Sequence, residues 1–260
     1  MNLLFKETGE RKMKTIAITN QKGGVGKTTI AVHLAFDLRD KGKRVLFIDT
    51  DPQGNSTSTL GNYLADAKAS MMFSEPLSFE PENGLNVIGA DAGLADIERA
   101  DPVVIKQFML NINNFNDTFD YCIIDTPPTM GLRMTAAIMV SDFVVSPIEL
   151  ESYSISGITT MLQTIFGIKE KYNNKLVFVG MVPNRFNPRS IDQKNTFIEL
   201  VKNYAHLIIQ AKIGIRSSIP EALVNKIPVW EVKKTAAKKA AEEIKNALNL
   251  IYEVMEKNNG

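Results

Sequence analysis

The stretch that decides the fold reads Asn20-Gln21-Lys22-Gly23-Gly24-Val25-Gly26-Lys27-Thr28-Thr29. Its second half matches the phosphate-loop pattern G-x-x-x-x-G-K-[ST], in which backbone N–H groups surround phosphates, the lysine contacts them and the hydroxyl binds Mg²⁺. Gln21 stands where that pattern has its first glycine, and Lys22 adds a second ammonium group beside the turn. Because two neighbouring ammonium groups repel each other, the pattern predicts strong negative charge nearby, as a bound nucleotide would provide.

The residues on either side favour a phosphate site over a chance glycine turn. Residues 14–19 form a short apolar, β-branched run that is typical of a buried strand. From Thr28 onward apolar residues recur at helical spacing, and Gly42 is the predicted C-cap. A strand, a glycine loop and a helix therefore follow in the required order, and the helix N-terminus adds free N–H groups and the positive end of its dipole.

The loop resembles the deviant Walker A motif, K-G-G-x-x-K-[ST], of the ParA/MinD group of P-loop ATPases. Residues 45–55 are an apolar run ending in D-x-D-P-Q-G-N, which resembles the switch I segment of that family. Residues 121–128 resemble its Walker B motif running into switch II. These motifs cover the first half of the chain, and the second half matches more loosely. The resemblance implies ATP and Mg²⁺ as cofactors and an ATP-dependent homodimer, in which Lys22 reaches the nucleotide of the partner.

Composition sets limits on the function. The chain has 260 residues, 44% of them hydrophobic, which is enough for one large core. With 30 basic and 29 acidic side chains the protein has almost no net charge, so affinity for nucleic acid would require a local patch of basic residues. The single cysteine, Cys122, excludes an internal disulfide and argues against relatives whose subunits each supply two cysteines to a shared iron–sulfur cluster. Since neither a membrane span of about 20 apolar residues nor a signal peptide is visible, we expect a cytoplasmic protein.

Apolar runs alternate with helical patterns along the chain. We predict strands over residues 14–19, 43–49, 85–89, 119–125, 142–148, 176–182 and 207–213. We predict a helix after the glycine loop, a short one within residues 55–64, and others over residues 102–112, 131–140, 155–172, 189–204 and 235–256. This alternation predicts an α/β fold, a single-domain, doubly wound and mostly parallel sheet flanked by helices. The ATPase domain is expected over residues 13–260, after a flexible extension of residues 1–12, and residues 71–83 are expected to form a mobile excursion.

The motifs assign roles to individual side chains. Residues 23–29 would hold the phosphates, with Lys27 neutralising them and Thr28 binding Mg²⁺. Asp125 ends an apolar run and would hold Mg²⁺ through water, although a turn residue is the alternative. By resemblance Asp51 orients the attacking water, and Asp49 is assigned to the Mg²⁺ shell. Neither carboxylate lies near an obvious histidine base in the sequence, so catalysis is expected to rest on positioning and charge stabilisation.

The second half of the chain suggests where adenine binds. Asn184 follows an apolar run and resembles the asparagine that hydrogen-bonds the base in this family, with a plain turn residue as the alternative. Residues 213–221, including Pro220, resemble the segment that closes over the ring and ribose. The preference for adenine over guanine comes from the resemblance, and the N-K-x-D guanine-reading pattern is missing from the corresponding position.

The C-terminal region distinguishes the functions found in this family. Relatives that associate with membranes end in a basic amphipathic helix, whereas residues 240–257 combine an apolar face with a net-acidic one, so no stable membrane binding is expected. Lysines cluster just upstream. Such a cluster is usually a solvated face, but arginines in segments that resemble the DNA-facing loops of the family make a phosphate-binding surface plausible. The candidate DNA-binding residues are Arg185, Arg189, Arg216, Lys233, Lys234 and Lys238.

Together these features predict a ParA-type ATPase for plasmid or chromosome partition. The ATP-bound dimer would bind double-stranded DNA nonspecifically, which implies a nucleoid-associated protein, and a ParB-like centromere-binding partner would stimulate hydrolysis. Two alternatives stay open: a MinD-like positioning ATPase at a membrane, and a metabolic P-loop phosphotransferase.

Overall fold

The computed structural model describes residues 13–150 and 155–258, so the predicted extension, residues 1–12, lies outside the described residues. Its strands are β1 (Lys14–Ile18), β2 (Val45–Asp49), β3 (Leu64–Lys68), β4 (Leu85–Gly89), β5 (Tyr121–Asp125), β6 (Phe143–Glu149) and β7 (Val177–Asn184). They form one sheet in the order β3-β4-β2-β5-β1-β6-β7, and neighbouring strands run parallel. The predicted α/β class with a doubly wound parallel sheet is confirmed.

Helices connect the strands and cover both faces of the sheet. They are α1 (Lys27–Asp40), α2 (Asn55–Thr59), α3 (Leu94–Ile97), α4 (Val104–Asn114), α5 (Leu132–Val140), α6 (Ile155–Tyr172), α7 (Ile191–Tyr204), α8 (Ser218–Val224) and α9 (Thr235–Lys257). Short 3₁₀ turns occur at Gly61–Tyr63, Ala69–Phe73, Ala205–Leu207 and Val229–Glu231. None of the helices in the described ranges is both long and apolar enough to cross a membrane.

The central strands are buried on both faces, and their side chains divide between two cores. Ile16 and Ile18 of β1 join the core beneath α1, α8 and α9, whereas Ala17 joins the core beneath α4, α5 and α6. Strands between two helical layers need apolar residues on both faces, so they read as continuous apolar runs. This is why the strand predictions in the first half of the chain succeed.

The long α9 packs against the domain, as its apolar periodicity predicts. Its buried face belongs to the core that α1 also covers, and consists of Ala237, Ala240, Ile244, Ala247, Leu248, Ile251 and Met255. The apolar side of this helix is therefore already covered within the chain.

Two strand predictions fail for different reasons. β3 was not predicted because it is an edge strand in which Ala67 alone is buried, so it lacks the apolar pattern of a central strand. The predicted strand over residues 207–213 is wrong, since the segment makes a single isolated bridge to β7, between Ile208 and Met181. The N–H of Ile209 donates to the carbonyl of Met181, and the N–H of Ile213 donates to the carbonyl of Pro183. The donors are four positions apart in the sequence but their acceptors on β7 only two, so a regular ladder of hydrogen bonds cannot continue.

The excursion at residues 71–83, predicted to be mobile, is anchored in the structure at its start. Met72, Phe73 and Leu77 are buried in the core beneath α4. The side chain of Asn111, on α4, accepts from Leu77 N–H (2.9 Å) and donates to the carbonyls of Met72 (2.9 Å) and Glu75 (2.8 Å). One buried amide thus takes the place of a regular hydrogen-bond ladder.

Replacing that amide should destabilise the fold. Asn111→Ala leaves one buried N–H and two carbonyls without this partner, so we expect the free energy of unfolding to fall by about 2–3 kcal/mol. The exposed Asn113, on the same helix, provides the matched control, and Asn113→Ala should change stability by less than about 0.5 kcal/mol. Urea unfolding followed by circular dichroism measures both, and equal stabilities would contradict the anchoring role.

A buried histidine, His33, joins the start of α1 to the C-terminal region. His33 is 0% exposed, its Nδ1 lies 2.8 Å from the carbonyl of Thr29, and its Nε2 accepts from Val229 N–H at 3.2 Å. The ring must therefore be neutral, with its proton on Nδ1. Burial lowers the pKa of His33 to about 4, against a small opposing effect of the Thr29 carbonyl.

This depressed pKa predicts a specific loss of stability in acid. Between pH 6.5 and about 4 the unfolded imidazole binds a proton that the folded one does not, so the free energy of unfolding falls as the pH falls, by up to about 1.4 kcal/mol per pH unit. His33→Gln should remove this component, whereas His206→Gln, at the exposed second histidine, should keep it. Urea unfolding across that pH range tests the difference, and parallel curves for wild type and His33→Gln would refute it.

Candidate nucleotide-binding site

Three adjacent strands end side by side at the carboxyl edge of the sheet. Ile18 of β1 pairs with Asp125 of β5, and Asp125 pairs with Asp49 of β2. The glycine loop follows β1 directly and leads into α1. In open α/β sheets ligands bind at this edge, where the chain direction across the sheet reverses. The structure therefore brings the three predicted motifs together.

The loop is tight and closely covered. Gly24 and Gly26 have φ of 79° and 99°, in the left-handed region that favours glycine. The Nδ2 of Asn184 donates to the carbonyl of Val25 at 2.8 Å, and a Cβ at Gly26 would lie 2.1 Å from that nitrogen. A side chain at position 26 would therefore collide with Asn184, the predicted adenine reader, which the structure places against the loop.

Lys27 points back into its own loop. Its side chain is largely buried and its Nζ donates to the carbonyl of Lys22 at 3.0 Å. Burial lowers the pKa of Lys27, and the charges of Asp125 and Asp51 oppose that shift. A buried ammonium at the glycine loop is suited to an anionic ligand, because phosphate oxygens would replace the hydration that burial removes.

Asp125 and Thr28 form the candidate Mg²⁺ site. Thr28 Oγ1 donates to Asp125 Oδ2 at 2.8 Å, whereas the fully buried Oδ1 of Asp125 has no hydrogen-bond partner. Burial and then the charge of Asp49 raise the pKa of Asp125 to about 7. An unpartnered carboxylate oxygen beside a hydroxyl fits a hard cation, and Mg²⁺ typically uses one or two protein carboxylates together with substrate phosphates.

Asp49, the last residue of β2, and Asp51, in the loop that follows it, differ in environment. Asp49 is fully buried and accepts from the N–H of Asp51 (3.1 Å) and from N–H and Oγ1 of Thr57 (2.8 and 2.7 Å). Burial raises the pKa of Asp49 to about 6. Asp51 is half-buried and its Oδ1 accepts from Gln53 N–H at 3.0 Å. Asp49 thus organises the segment that carries Asp51.

The residues before the glycines attach the loop to neighbouring elements. Gln21 Nε2 donates to Thr164 of α6 at 3.0 Å, and Asn20 Nδ2 donates to the carbonyl of Pro147 at 2.7 Å. Lys22 N–H in turn donates to Asn20 Oδ1 at 3.0 Å. Gln21, in the place of the usual glycine, therefore ties the turn that presents Lys22 to a helix.

The other predicted site residues lie further along the chain, and several are ion-paired. Pro220 is exposed in the first turn of α8. Three of the candidate DNA-binding cations contact carboxylates, namely Arg185 with Glu149 (2.7 Å), Arg216 with Glu243 (2.5 Å) and Lys234 with Glu221 (2.6 Å). Arg189, Lys233 and Lys238 are exposed. A bridge between Phe186 and Gly214 brings the Arg185 and Arg216 segments together.

Two hydroxyl residues at the site were missed by the sequence analysis. Ser56 Oγ donates to Asp125 Oδ2 at 2.5 Å, and Thr57 contacts Asp49 as described above. The signal is the hydroxyl-rich run Asn55-Ser56-Thr57-Ser58-Thr59, which follows the D-x-D-P-Q-G segment and forms α2.

Comparison with known proteins identifies the family. A family model described as an AAA domain matches residues 13–178, more than half of the chain. Protein IncC of Escherichia coli is 40% identical over 269 residues, covering 96% of this chain and 72% of IncC. The chromosome-partitioning ATPase Soj of Thermus thermophilus is 30% identical over 216 residues, covering 81% and 85% of the two chains.

A solved structure agrees with these relatives. The ATP complex of an McdA variant from Cyanothece matches with a TM-score of 0.76 at 25% identity, over 92% of this chain and 98% of McdA. The family match over residues 13–178 includes the glycine loop, the Asp49–Asp51 segment and Asp125, the three motifs that meet at the carboxyl edge of the sheet. The chain therefore belongs to the ParA/MinD family of P-loop ATPases.

Proposed function

We propose that this chain is a ParA-type ATPase that acts in plasmid or chromosome partition. The observation that carries the proposal is the second lysine: Lys22 stands beside a glycine loop that already has a lysine of its own, Lys27, whose ammonium points into that loop. A further ammonium there serves a purpose if it meets the nucleotide of a second subunit. The relationship to Soj, named a chromosome-partitioning ATPase, supports the biological role.

The residues at the carboxyl edge suit hydrolysis of Mg²⁺–ATP. Backbone N–H groups of residues 23–29 and the ammonium of Lys27 would bind the phosphates, and Thr28 and Asp125 would hold Mg²⁺. When bound, the ion neutralises charge on the phosphates. Asp51 would orient the attacking water. Because three hydrogen bonds occupy Asp49, we assign it to ordering the Asp51 segment rather than to the Mg²⁺ shell.

Adenine would be bound by Asn184, with Pro220 closing over the ring. Asn184 lies against the glycine loop, next to the carbonyl of Val25, so it is close to the position of a nucleotide held there. Its Nδ2 already has a backbone partner, which leaves Oδ1 as the atom that could accept from the amino group of adenine.

The nucleotide-bound dimer would be the form that binds the macromolecular partners, DNA and a partner protein. We propose that it binds double-stranded DNA nonspecifically, as a cytoplasmic protein associated with the nucleoid, and that a ParB-like partner stimulates hydrolysis. Lys233, Lys238 and Arg189 are exposed and make no ion pair within the described part of the chain, which leaves them as the candidate contacts. The MinD-like alternative is disfavoured because the apolar face of α9 packs on the core. A metabolic phosphotransferase would instead turn over ATP with a small-molecule acceptor and no macromolecular partner.

The two loop lysines should have separable roles. Lys27→Ala removes the charge on the phosphates within the subunit, so we expect ATP affinity to fall at least about a hundredfold. Lys22→Ala should leave ATP affinity within about threefold of wild type and abolish ATP-dependent dimerisation, since its ammonium acts on the partner. Fluorescent ATP titration and light scattering measure the two properties. A Lys22→Ala protein that dimerises normally with ATP would exclude the role across the interface.

DNA binding should depend on the lysines at the start of α9. The double variant Lys233→Glu/Lys238→Glu should weaken binding about tenfold or more at low salt and reduce the log–log salt slope by about two units. The matched control is Lys171→Glu/Lys175→Glu, which changes the net charge equally on exposed residues before β7, at the opposite end of the sheet. Arg216→Glu is less informative because it would set two carboxylates against each other at Glu243.

Fluorescence anisotropy with random-sequence DNA and ATP across a salt series measures these effects. ATP-dependent dimerisation must be unchanged in both double variants. Equal DNA affinity of wild type and the Lys233/Lys238 variant would place the DNA surface elsewhere, and a wild-type protein without DNA affinity at low salt would refute the partition function.

A further inference from the structure

Two consecutive hydroxyl side chains attach α2 to the buried carboxylates at the edge of the sheet. Ser56 Oγ donates to Asp125 Oδ2 at 2.5 Å, while N–H and Oγ1 of Thr57 donate to Asp49 Oδ2 at 2.8 and 2.7 Å. Asp49 and Asp125 are themselves paired across β2 and β5. The short helix is thus held through its first turn by one contact to each strand end.

The hydroxyl of Ser56 is not required for packing. Ser56 is 0% exposed, and an alanine would fill the same space except for one oxygen. The acceptor is the same Oδ2 that Thr28 contacts at 2.8 Å, and Oδ1 of Asp125 has no partner. Ser56 supplies one of the two side-chain hydroxyl bonds that the carboxylate of Asp125 receives within the described residues, and each such bond stabilises the buried charge.

Asp51 lies within the segment that these contacts hold. Its N–H donates to Asp49 Oδ1 at 3.1 Å, and its carbonyl accepts from Gly54 N–H at 2.9 Å, one residue before α2 begins. Residues 50–57 therefore form a short segment with attachments at both ends. At its start the N–H of Asp51 is bonded to Asp49, and at its end Ser56 and Thr57 are bonded to Asp125 and Asp49. A movement of Asp125 would pull on Ser56, and through the first turn of α2 on the backbone of Asp51.

We infer that Ser56 is a positioning residue for ATP hydrolysis: its hydroxyl links Asp125 to the loop that carries Asp51, so that the water-orienting carboxylate is aligned by the residue that holds Mg²⁺. The inference rests on the proposed function, in which Asp51 orients the attacking water. In the proposed arrangement Ser56 is hydrogen-bonded to Asp125 and would contact neither the phosphates nor the water, so we assign its effect on hydrolysis to the alignment of Asp51.

Removing the hydroxyl should slow hydrolysis without weakening binding. For Ser56→Ala we expect the single-turnover rate of ATP hydrolysis to fall between about tenfold and a hundredfold, because misplacing a reacting group by about 1 Å has effects of this size. The Kd for a fluorescent ATP analogue with Mg²⁺ should stay within about twofold of wild type, since the phosphate-binding groups are unchanged. The exposed Ser58 of the same helix is the matched control, and Ser58→Ala should hydrolyse ATP at the wild-type rate.

A double-mutant cycle separates positioning from a general structural effect. If Ser56 acts through Asp51, Ser56→Ala should have little further effect on hydrolysis in an Asp51→Ala background, so the two changes should be strongly non-additive. Single-turnover measurements with radiolabelled ATP and excess protein can follow such slow rates. An equal fold-decrease in both backgrounds, a wild-type rate for Ser56→Ala, or a loss of nucleotide affinity that matches the loss of rate would each overturn the inference.

The same experiments distinguish this inference from the proposed function. If wild-type protein does not hydrolyse ATP, or Asp51→Ala hydrolyses it at the wild-type rate, the proposed chemistry fails and the positioning role fails with it. If Asp51→Ala is inactive while Ser56→Ala is unaffected, the proposed chemistry stands and the role of Ser56 alone is refuted.

Discussion

The carboxylate of Asp125 is buried at the carboxyl edge of the sheet, beside the equally buried Asp49, and the arrangement of the surrounding loops follows from this pair. Acids removed from water are costly to ionise, so burial raises the pKa values of Asp49 and Asp125 to about 6 and about 7, with a further contribution from the charge of Asp51 to Asp49 and of Asp49 to Asp125. The chain offsets this with hydroxyl and backbone donors from Thr28, Ser56 and Thr57. These donors bring two segments to the site, the start of α1 with Thr28 and the first turn of α2 with Ser56 and Thr57.

This constraint also explains why one carboxylate oxygen is left without a partner. Asp49 accepts three hydrogen bonds and is used within the protein, whereas Oδ1 of Asp125 has none. An unsatisfied buried oxygen costs free energy that a cation would recover. The site therefore suits a cation at Asp125 and negatively charged phosphates at Lys27, whose ammonium lies inside its own loop.

Away from the site, the charged side chains of the surface form local patches and pairs and give no large net charge. The chain is nearly neutral, with 30 basic and 29 acidic side chains, and several of its exposed arginines and lysines lie against glutamates. Exposed ion pairs contribute little to stability, but they reduce the field that a polyanion would meet. Cations outside such pairs, among them Lys233 and Lys238, then carry more of any attraction for DNA than the lysine count alone suggests.

The sequence by itself determined the fold class, the central strands and the position of the phosphate loop. Those features are local: glycines at required turns, and apolar runs such as residues 45–49 that are buried on both faces. The candidate roles of Lys27 and Asp125 follow from the same motifs, whereas those of Lys22 and Asp51 follow from the family resemblance, and all four are proposals.

Only the tertiary structure decided how the motifs meet. The edge strand β3 has too few buried residues to produce a pattern, and residues 207–213 lose their pairing to β7 through a mismatch of two residues. The contacts of Ser56 with Asp125 and of His33 with Val229 join residues 69 and 196 positions apart. Hydrogen bonds between residues so far apart in the sequence produce no periodic pattern of residue types, because they depend on which strand ends the fold places side by side.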